Sequence, residues 1–263
     1  MYKITQIFLK YLLRNFLYIF RKLYYSGNNI HCCICKKTFR RMISYGASNF
    51  AIKKYKIFSM GPRKNCICPN CYSKDRERLV FLFLRHLQKN YLLQNNTKIL
   101  HFSPERSLKD YFFKGKFKNY YTANLKGKNI DFQIDLSKKI EIDDKFDLII
   151  CNHVLEHIHN DIFALGNIYT MLSDNGMAIL QTPYSKIIDQ DYFIEKNLSP
   201  EENLKFYGQN DHVRIYSRKA LINKIKNTGF ELKVYKSNYF NSDKCNYGLI
   251  EEEEVLFAKK QKN

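Results

Sequence analysis

The stretch FDLIICNHVLEHI, residues 146–158, decides the fold. Its first six residues, Phe146 to Cys151, form a short apolar run interrupted only by Asp147, which reads as a strand buried in a sheet. Asn152 and His153 end that run, and an apolar-periodic helix is expected from about Asn160 to Leu172. Outward from this pair, strands are expected at Lys98 to Phe102, Asn119 to Ala123 and Asp131 to Ile134, with a helix at Leu108 to Phe113. On the other side come a strand at Met177 to Gln181, a helix at Ser217 to Asn227, and strands at Glu231 to Lys236 and Glu253 to Ala258. Alternation of this kind predicts an α/β chain: a Rossmann-like, doubly wound, mostly parallel sheet of about seven strands. In such sheets ligands bind at the carboxyl ends of the strands, beside the switch point.

A chain of 263 residues accommodates one such domain and a small appendage. Its 44 Lys and Arg against 25 Asp and Glu give a formal charge of +19. Abundant Lys, Asn, Ile, Phe and Tyr with no Trp is also what an AT-rich genome imposes on surfaces, so the charge alone names no nucleic acid, anionic membrane or acidic substrate. Six of the eight cysteines lie between Cys32 and Cys71, and the N-terminus lacks the apolar core and cleavage site of a secretory signal. A reducing, cytoplasmic setting and a metal are therefore expected in preference to a disulfide framework.

Cys32 and Cys35 form one CxxC, and Cys68 and Cys71 a second. Four thiolates close a tetrahedron around structural zinc with no open position, so a zinc-ribbon-like module is expected over residues 28–78. Cys33, Cys66 and His31 neighbour these ligands and leave room for a shift in ligand register. The module carries basic residues, among them Arg40, Arg41, Arg63 and Lys64. A charged turn, Lys74 to Arg78, is expected next, followed by a connecting helix within residues 79–96 and the main domain over 97–263. Before the module, residues 1–27 hold an amphipathic helix, 2–24, whose Lys3, Lys10, Arg14 and Arg21 share a stripe on a largely apolar and aromatic surface. The basic residues interrupt it too often for a span. It packs on the main domain or lies peripherally on the inner face of a membrane.

Five segments, ILHFSPE at 99–105, YYTANL at 120–125, FDLIICNHVLEHI at 146–158, QTPY at 181–184 and FYGQNDHVRIYSR at 206–218, resemble the class I S-adenosylmethionine-dependent methyltransferases. More narrowly they resemble a bacterial group that precedes this domain with a CxxC module. The resemblance implies S-adenosylmethionine as cofactor. It places the loop His101, Ser103 and Glu105 at the methionine part, Asn124 at the ribose, Asp135 at the adenine, and Asn152 and His153 beside the sulfonium. Two departures stand out: Ser103, Pro104 and Glu105 replace the usual glycine-rich turn, and Asn124 replaces a commoner acidic residue.

Methyl transfer needs alignment first, and a base only for a poor nucleophile. His153, Asp211 and His212 are the candidate catalytic residues, with His157 read as structural. Asp211, His212 and Arg214 sit where these enzymes build an acceptor pocket, whereas Asp189, Asp191 and Glu195 either pair with His212 and Arg214 or are solvated surface, and Glu251 to Glu254 reads as a turn and exposed edge. The leading expectation is methylation of a small molecule or glycan. An RNA methyltransferase using the zinc module for contact is the second reading, against which no asparagine-proline-proline-aromatic motif follows the fourth strand. The third is a zinc-bearing scaffold that does not bind the cofactor.

Overall fold

The computed structural model describes residues 20–21, 23–240 and 245–261. Residues 20–21 and 23–25 are helical, and the remainder of the expected N-terminal helix lies outside the described residues. Among the described residues no helix is long and apolar enough to cross a membrane.

Two antiparallel hairpins come first: β1 (Ile30–His31) with β2 (Thr38–Phe39), and β3 (Ile43–Tyr45) with β4 (Arg63–Ile67), the second enclosing α1 (Phe50–Tyr55). Helix α2 (Asp75–Lys89) leads to β5 (Ile99–Phe102). Next are α3 (Arg106–Leu108), which widens into a π-turn over Lys109–Phe113, then β6 (Tyr120–Asn124), β7 (Phe132–Gln133) and β8 (Phe146–Cys151). A 3-10 turn, Leu155–His157, precedes α4 (Asp161–Met171) and β9 (Leu172–Ile179). The insertion that follows holds β10 (Tyr184–Ser185), β11 (Tyr192–Phe193), α5 (Pro200–Tyr207) and β12 (Arg214–Ser217). The chain closes with α6 (Arg218–Asn227), β13 (Phe230–Lys236) and β14 (Glu254–Lys260).

Seven strands form the central sheet in the order β13-β14-β9-β8-β5-β6-β7. All run parallel except β14, which inserts antiparallel between β9 and β13. The sequence switches direction of winding at β5, where the chain moves first to β6 and β7 and then back to β8, opening the switch-point crevice that such sheets use for ligands. Alternation along the strands divides the core. Ile99, Leu148 and Ile150 face α2 together with Leu79, Phe83 and Leu87, while Leu100 and Ile149 face Ala164 and Ile168 of α4 and Leu221 and Ile225 of α6. The first of these cores also contains Cys32, Ile34 and Cys68, so the cysteine segment packs against the same sheet face.

Two readings of charge are corrected by the fold. Lys74 to Arg78 is not a turn ahead of the helix: α2 begins at Asp75, and the Glu77 carboxylate accepts from the Lys74 backbone N–H at 3.2 Å, one half of a capping box. Nor does Glu251 to Glu254 mark a sheet edge, because β14 is an interior strand. Glu253 and Glu254 are only 5% and 4% exposed. Arg218 grips Glu254 with two bonds of 2.7 and 2.9 Å, and the Tyr184 hydroxyl donates to it at 2.9 Å.

Candidate cofactor cleft and cysteine centre

The ends of β5, β6 and β8 open into a cleft of about 520 Å³, lined by Phe102, Ser103, Asn124, Asp135, His153 and Asp211 among others. That volume suits a nucleoside-sized ligand. Ser103, just after β5, has φ +44°, and His153, just after β8, has φ +55°. A left-handed residue is what a glycine-rich turn would supply there, so Ser103 makes the same turn with a side chain retained. Its hydroxyl donates to Asn124 Oδ1 at 3.3 Å, and the Leu125 N–H donates to the same oxygen at 2.9 Å. This leaves the Asn124 amide N–H₂ as the free polar group of that side chain at the end of β6. Asp135 accepts from the Ser137 hydroxyl at 2.6 Å and backbone N–H at 3.0 Å, and these bonds hold its carboxyl below the usual carboxylate range.

His101 and Glu105 stand behind this wall. His101 is fully buried and lies 2.8 Å from Glu105 Oε2 through Nε2 and 3.0 Å from the Tyr120 hydroxyl through Nδ1. Burial alone would raise the Glu105 carboxyl, but the His101 bond outweighs it and keeps Glu105 ionised. Glu105 Oε1 in turn receives the Asn152 amide at 3.4 Å, and Asn152 Oδ1 accepts from the Gln181 N–H at 3.3 Å. The three residues thus brace the loop after β5 against the ends of β8 and β9.

His153 is held from both sides. Its Nδ1 is 3.3 Å from Glu156 Oε1 and 3.3 Å from Arg76 Nη1, while Nε2 is buried without a hydrogen-bond partner among the described residues. The two contacts select opposite tautomers: the carboxylate can only accept from Nδ1, whereas the guanidinium can only donate to it, which puts the lone pair on Nδ1 and the proton on Nε2. Burial and then the Arg76 charge hold this imidazole below its ordinary pKa. Glu156 is 1% exposed; despite burial, the bond to His153 and the neighbouring His212 and His157 take its carboxyl down to about 2. Asp211 lies exposed on the cleft wall, and its carbonyl accepts from His157 Nδ1 at 2.9 Å. His212 is buried, its ring edge-on to His157 at 4.8 Å, and burial pushes it down to about 4. Arg214 turns away, pairing with Asp161 at 2.9 Å. Asp191 is not solvated surface: it pairs with Lys224 at 2.7 Å and accepts from the Ser217 N–H at 2.8 Å.

Glu156, Arg76 and His159 are the site residues that sequence reading passed over. His159 lines both this cleft and a second, open depression of about 520 Å³ walled by Phe193, Ile194 and Lys196. The signal for Glu156 was present, since i and i+3 meet on one face of a helical turn. For Arg76 there was none, because 77 positions separate it from His153.

Cys32, Cys35, Cys68 and Cys71 converge, with Sγ separations of 3.6 Å between Cys32 and Cys71 and 3.7 Å between Cys35 and Cys68. A disulfide requires about 2 Å, whereas zinc bonds of about 2.3 Å in a tetrahedron set sulfurs about 3.8 Å apart. The donor set and spacing therefore fit zinc. Cys33 points to the Arg78 carbonyl and Cys66 receives Arg63 Nη2 at 3.2 Å, so the ligand register does not slip.

Residues 121–233 match the family model described as a methyltransferase domain. No curated protein matches the chain in sequence. Among solved structures it is similar to the Burkholderia thailandensis 1,6-didemethyltoxoflavin-N1-methyltransferase, at 13% identity over 72% of this chain and 78% of that one with a TM-score of 0.43. It is similar to an S-adenosylmethionine-dependent methyltransferase from Mesorhizobium loti, at 11% identity over 65% and 95% with a TM-score of 0.44. A third, from Clostridium acetobutylicum, shows 12% identity over 69% and 90% with a TM-score of 0.45. The matched segment runs from β6 into β13 and contains the ends of β6 and β8 that open on the cleft: this part of the chain, on its doubly wound α/β sheet, is similar to a methyltransferase domain.

Proposed function

We propose that the chain methylates a hydroxyl of a small molecule or glycan, with the cofactor in the cleft at the ends of β5, β6 and β8. The observation that carries this reading is the cleft itself, which brings Ser103, Asn124, Asp135 and His153 together at the strand ends, with the Glu156 carboxylate 3.3 Å from the His153 ring. When bound, S-adenosylmethionine supplies a methyl group made electrophilic by its sulfonium. Asn124 offers its amide to ribose hydroxyls, Asp135 its carboxylate to the adenine amino group, and Ser103 its left-handed turn to the methionine end. His153, which lines the cleft, takes the acceptor's hydroxyl proton, and the Glu156 carboxylate beside its ring steadies the charge that results. His159 joins this cleft to the neighbouring depression, which gives an acceptor a way in. Zinc at Cys32, Cys35, Cys68 and Cys71 has a structural role, since four thiolates leave no open position.

The test is calorimetric titration of the zinc-replete chain with S-adenosylhomocysteine. Micromolar binding is expected, weakened by roughly tenfold in Asn124→Ala and in Asp135→Ala, the scale of one lost hydrogen bond. Folded protein that does not bind would overturn the reading.

A further inference from the structure

We propose that Glu156, His157 and His212 form a second metal site, taking one first-row divalent cation beside the cofactor cleft, and that the methyl acceptor binds it through oxygen. The second part rests on the methyltransferase reading above.

One ligand atom from each of the three residues lies within 4.8 Å of the others. They come from distant parts of the chain: Glu156 and His157 from the 3-10 turn after β8, His212 from the segment leading into β12. The Val213 N–H donates to the Glu156 carbonyl at 2.9 Å and ties the two segments together.

Glu156 is the anchor. Its carboxylate is 1% exposed and meets no Lys or Arg among the described residues; its contacts are the Thr182 hydroxyl at 2.6 Å on Oε2 and His153 at 3.3 Å on Oε1. A buried carboxylate without a cation is costly, and proteins resolve the cost with a paired charge or a metal. Each oxygen keeps a lone pair after these contacts.

The imidazoles are set for ligation. His157 donates Nδ1–H to the Asp211 carbonyl at 2.9 Å, with the Asp211 carboxylate 3.4 Å away, so Nε2 carries the lone pair. Metal-bound histidines are oriented by that kind of outer hydrogen bond. His212 is buried edge-on against His157, and among the described residues no hydrogen bond occupies its ring nitrogens. Two imidazoles and one carboxylate suit zinc, iron, cobalt or nickel better than magnesium, which prefers oxygen alone. Three protein ligands leave positions open, unlike the closed four-cysteine set. His157 and Asp211 line the cleft, so the open positions adjoin the space that His153 also lines. The acceptor class that follows is a hydroxyl with a neighbouring oxygen, such as a vicinal diol or an α-hydroxy carbonyl, able to chelate the cation and present one oxygen to His153.

The experiment is Co²⁺ titration of the full chain with zinc already at the cysteines, read by visible absorption and by metal content. One further equivalent should bind without thiolate-to-cobalt charge-transfer bands. Affinity should fall at least tenfold in His157→Gln, whose side chain is partly exposed, and in His212→Gln. S-adenosylhomocysteine binding measured in the same samples reports folding and tests the methyltransferase reading separately. No second equivalent in a chain that binds S-adenosylhomocysteine would overturn the site and leave that reading standing. Unchanged cobalt affinity in both variants would also overturn it. Cobalt bound by a chain that does not take S-adenosylhomocysteine would support the site and overturn the acceptor's part in it.

Discussion

Arg76 Nη1 lies 3.3 Å from His153 Nδ1, so the first turn of α2, four residues beyond the last cysteine ligand, touches the residue that ends β8. Its neighbours bind elsewhere. Asp75 pairs with Arg63 at 2.7 Å, Glu77 accepts from the Ser107 hydroxyl at 2.6 Å, and Arg78 is wholly buried.

Arg76→Met should raise the pKa of His153, because the guanidinium charge adds to burial in holding the imidazole neutral. The acidic limb of a pH–rate profile should move to higher pH with it, and Arg76→Lys should move it less. Imidazole NMR titration checks the shift directly; a His153 titration unchanged in Arg76→Met would show that the contact carries no charge coupling.

Removing zinc with a chelator, or by Cys68→Ser, should lower the melting temperature and weaken S-adenosylhomocysteine binding several-fold. Arg78 donates to the carbonyls of Asn65, Cys66 and Ser73, all within three residues of a ligand, and loosening them frees the turn that carries Arg76. Scanning calorimetry and titration on matched samples separate this from global unfolding.

Glu253 gives a pH dependence of definite sign. Burial is the main reason its carboxyl is raised from 4.5 to about 7, and one of its oxygens has no hydrogen-bond partner among the described residues. A group raised in the folded state is fully compatible with folding below its unfolded pKa and destabilises as pH climbs through the folded one. Stability should therefore fall between pH 4.5 and somewhat above 7, by on the order of 3 kcal/mol from this residue. Glu253→Gln should flatten that slope and be the more stable chain at pH 8 in urea denaturation.

Glu254→Ala should cost about 2 kcal/mol, less than a fully buried pair because Arg218 is one-third exposed. It strands Arg218 and the Tyr184 hydroxyl together. A loss below about 0.5 kcal/mol in chemical denaturation would indicate that Arg218 finds water instead.

The parallel sheet was legible because each strand announces itself locally: Ile99–Phe102 and Phe146–Cys151 are apolar runs closed by polar residues at the cleft. The cysteine set was legible from spacing alone. What escaped was charge placed inside. Asp75 to Arg78 and Glu253 to Glu254 look like solvated surface until Arg63, Ser107, Arg218 and Tyr247 arrive from elsewhere in the chain. Local signals were also overlooked: Ser199, Pro200, Glu202 and Gly208 cap α5 at both ends, with Ser199 and Glu202 forming a capping box. His101 shows a different limit. Sequence places it at a strand end facing a ligand, whereas its ring is buried and serves Glu105.

Arg78 spends all five of its N–H groups on backbone carbonyls, three near the cysteines and two, Tyr247 and Gly248, near the other end of the chain. On a ribosome the cysteine segment emerges early and can gather its thiols, but two of the guanidinium's acceptors do not exist until residue 248 has been made. Until then a buried cation waits with its solvation incomplete, so the loop that leads into β14 is also the latch that closes the first module.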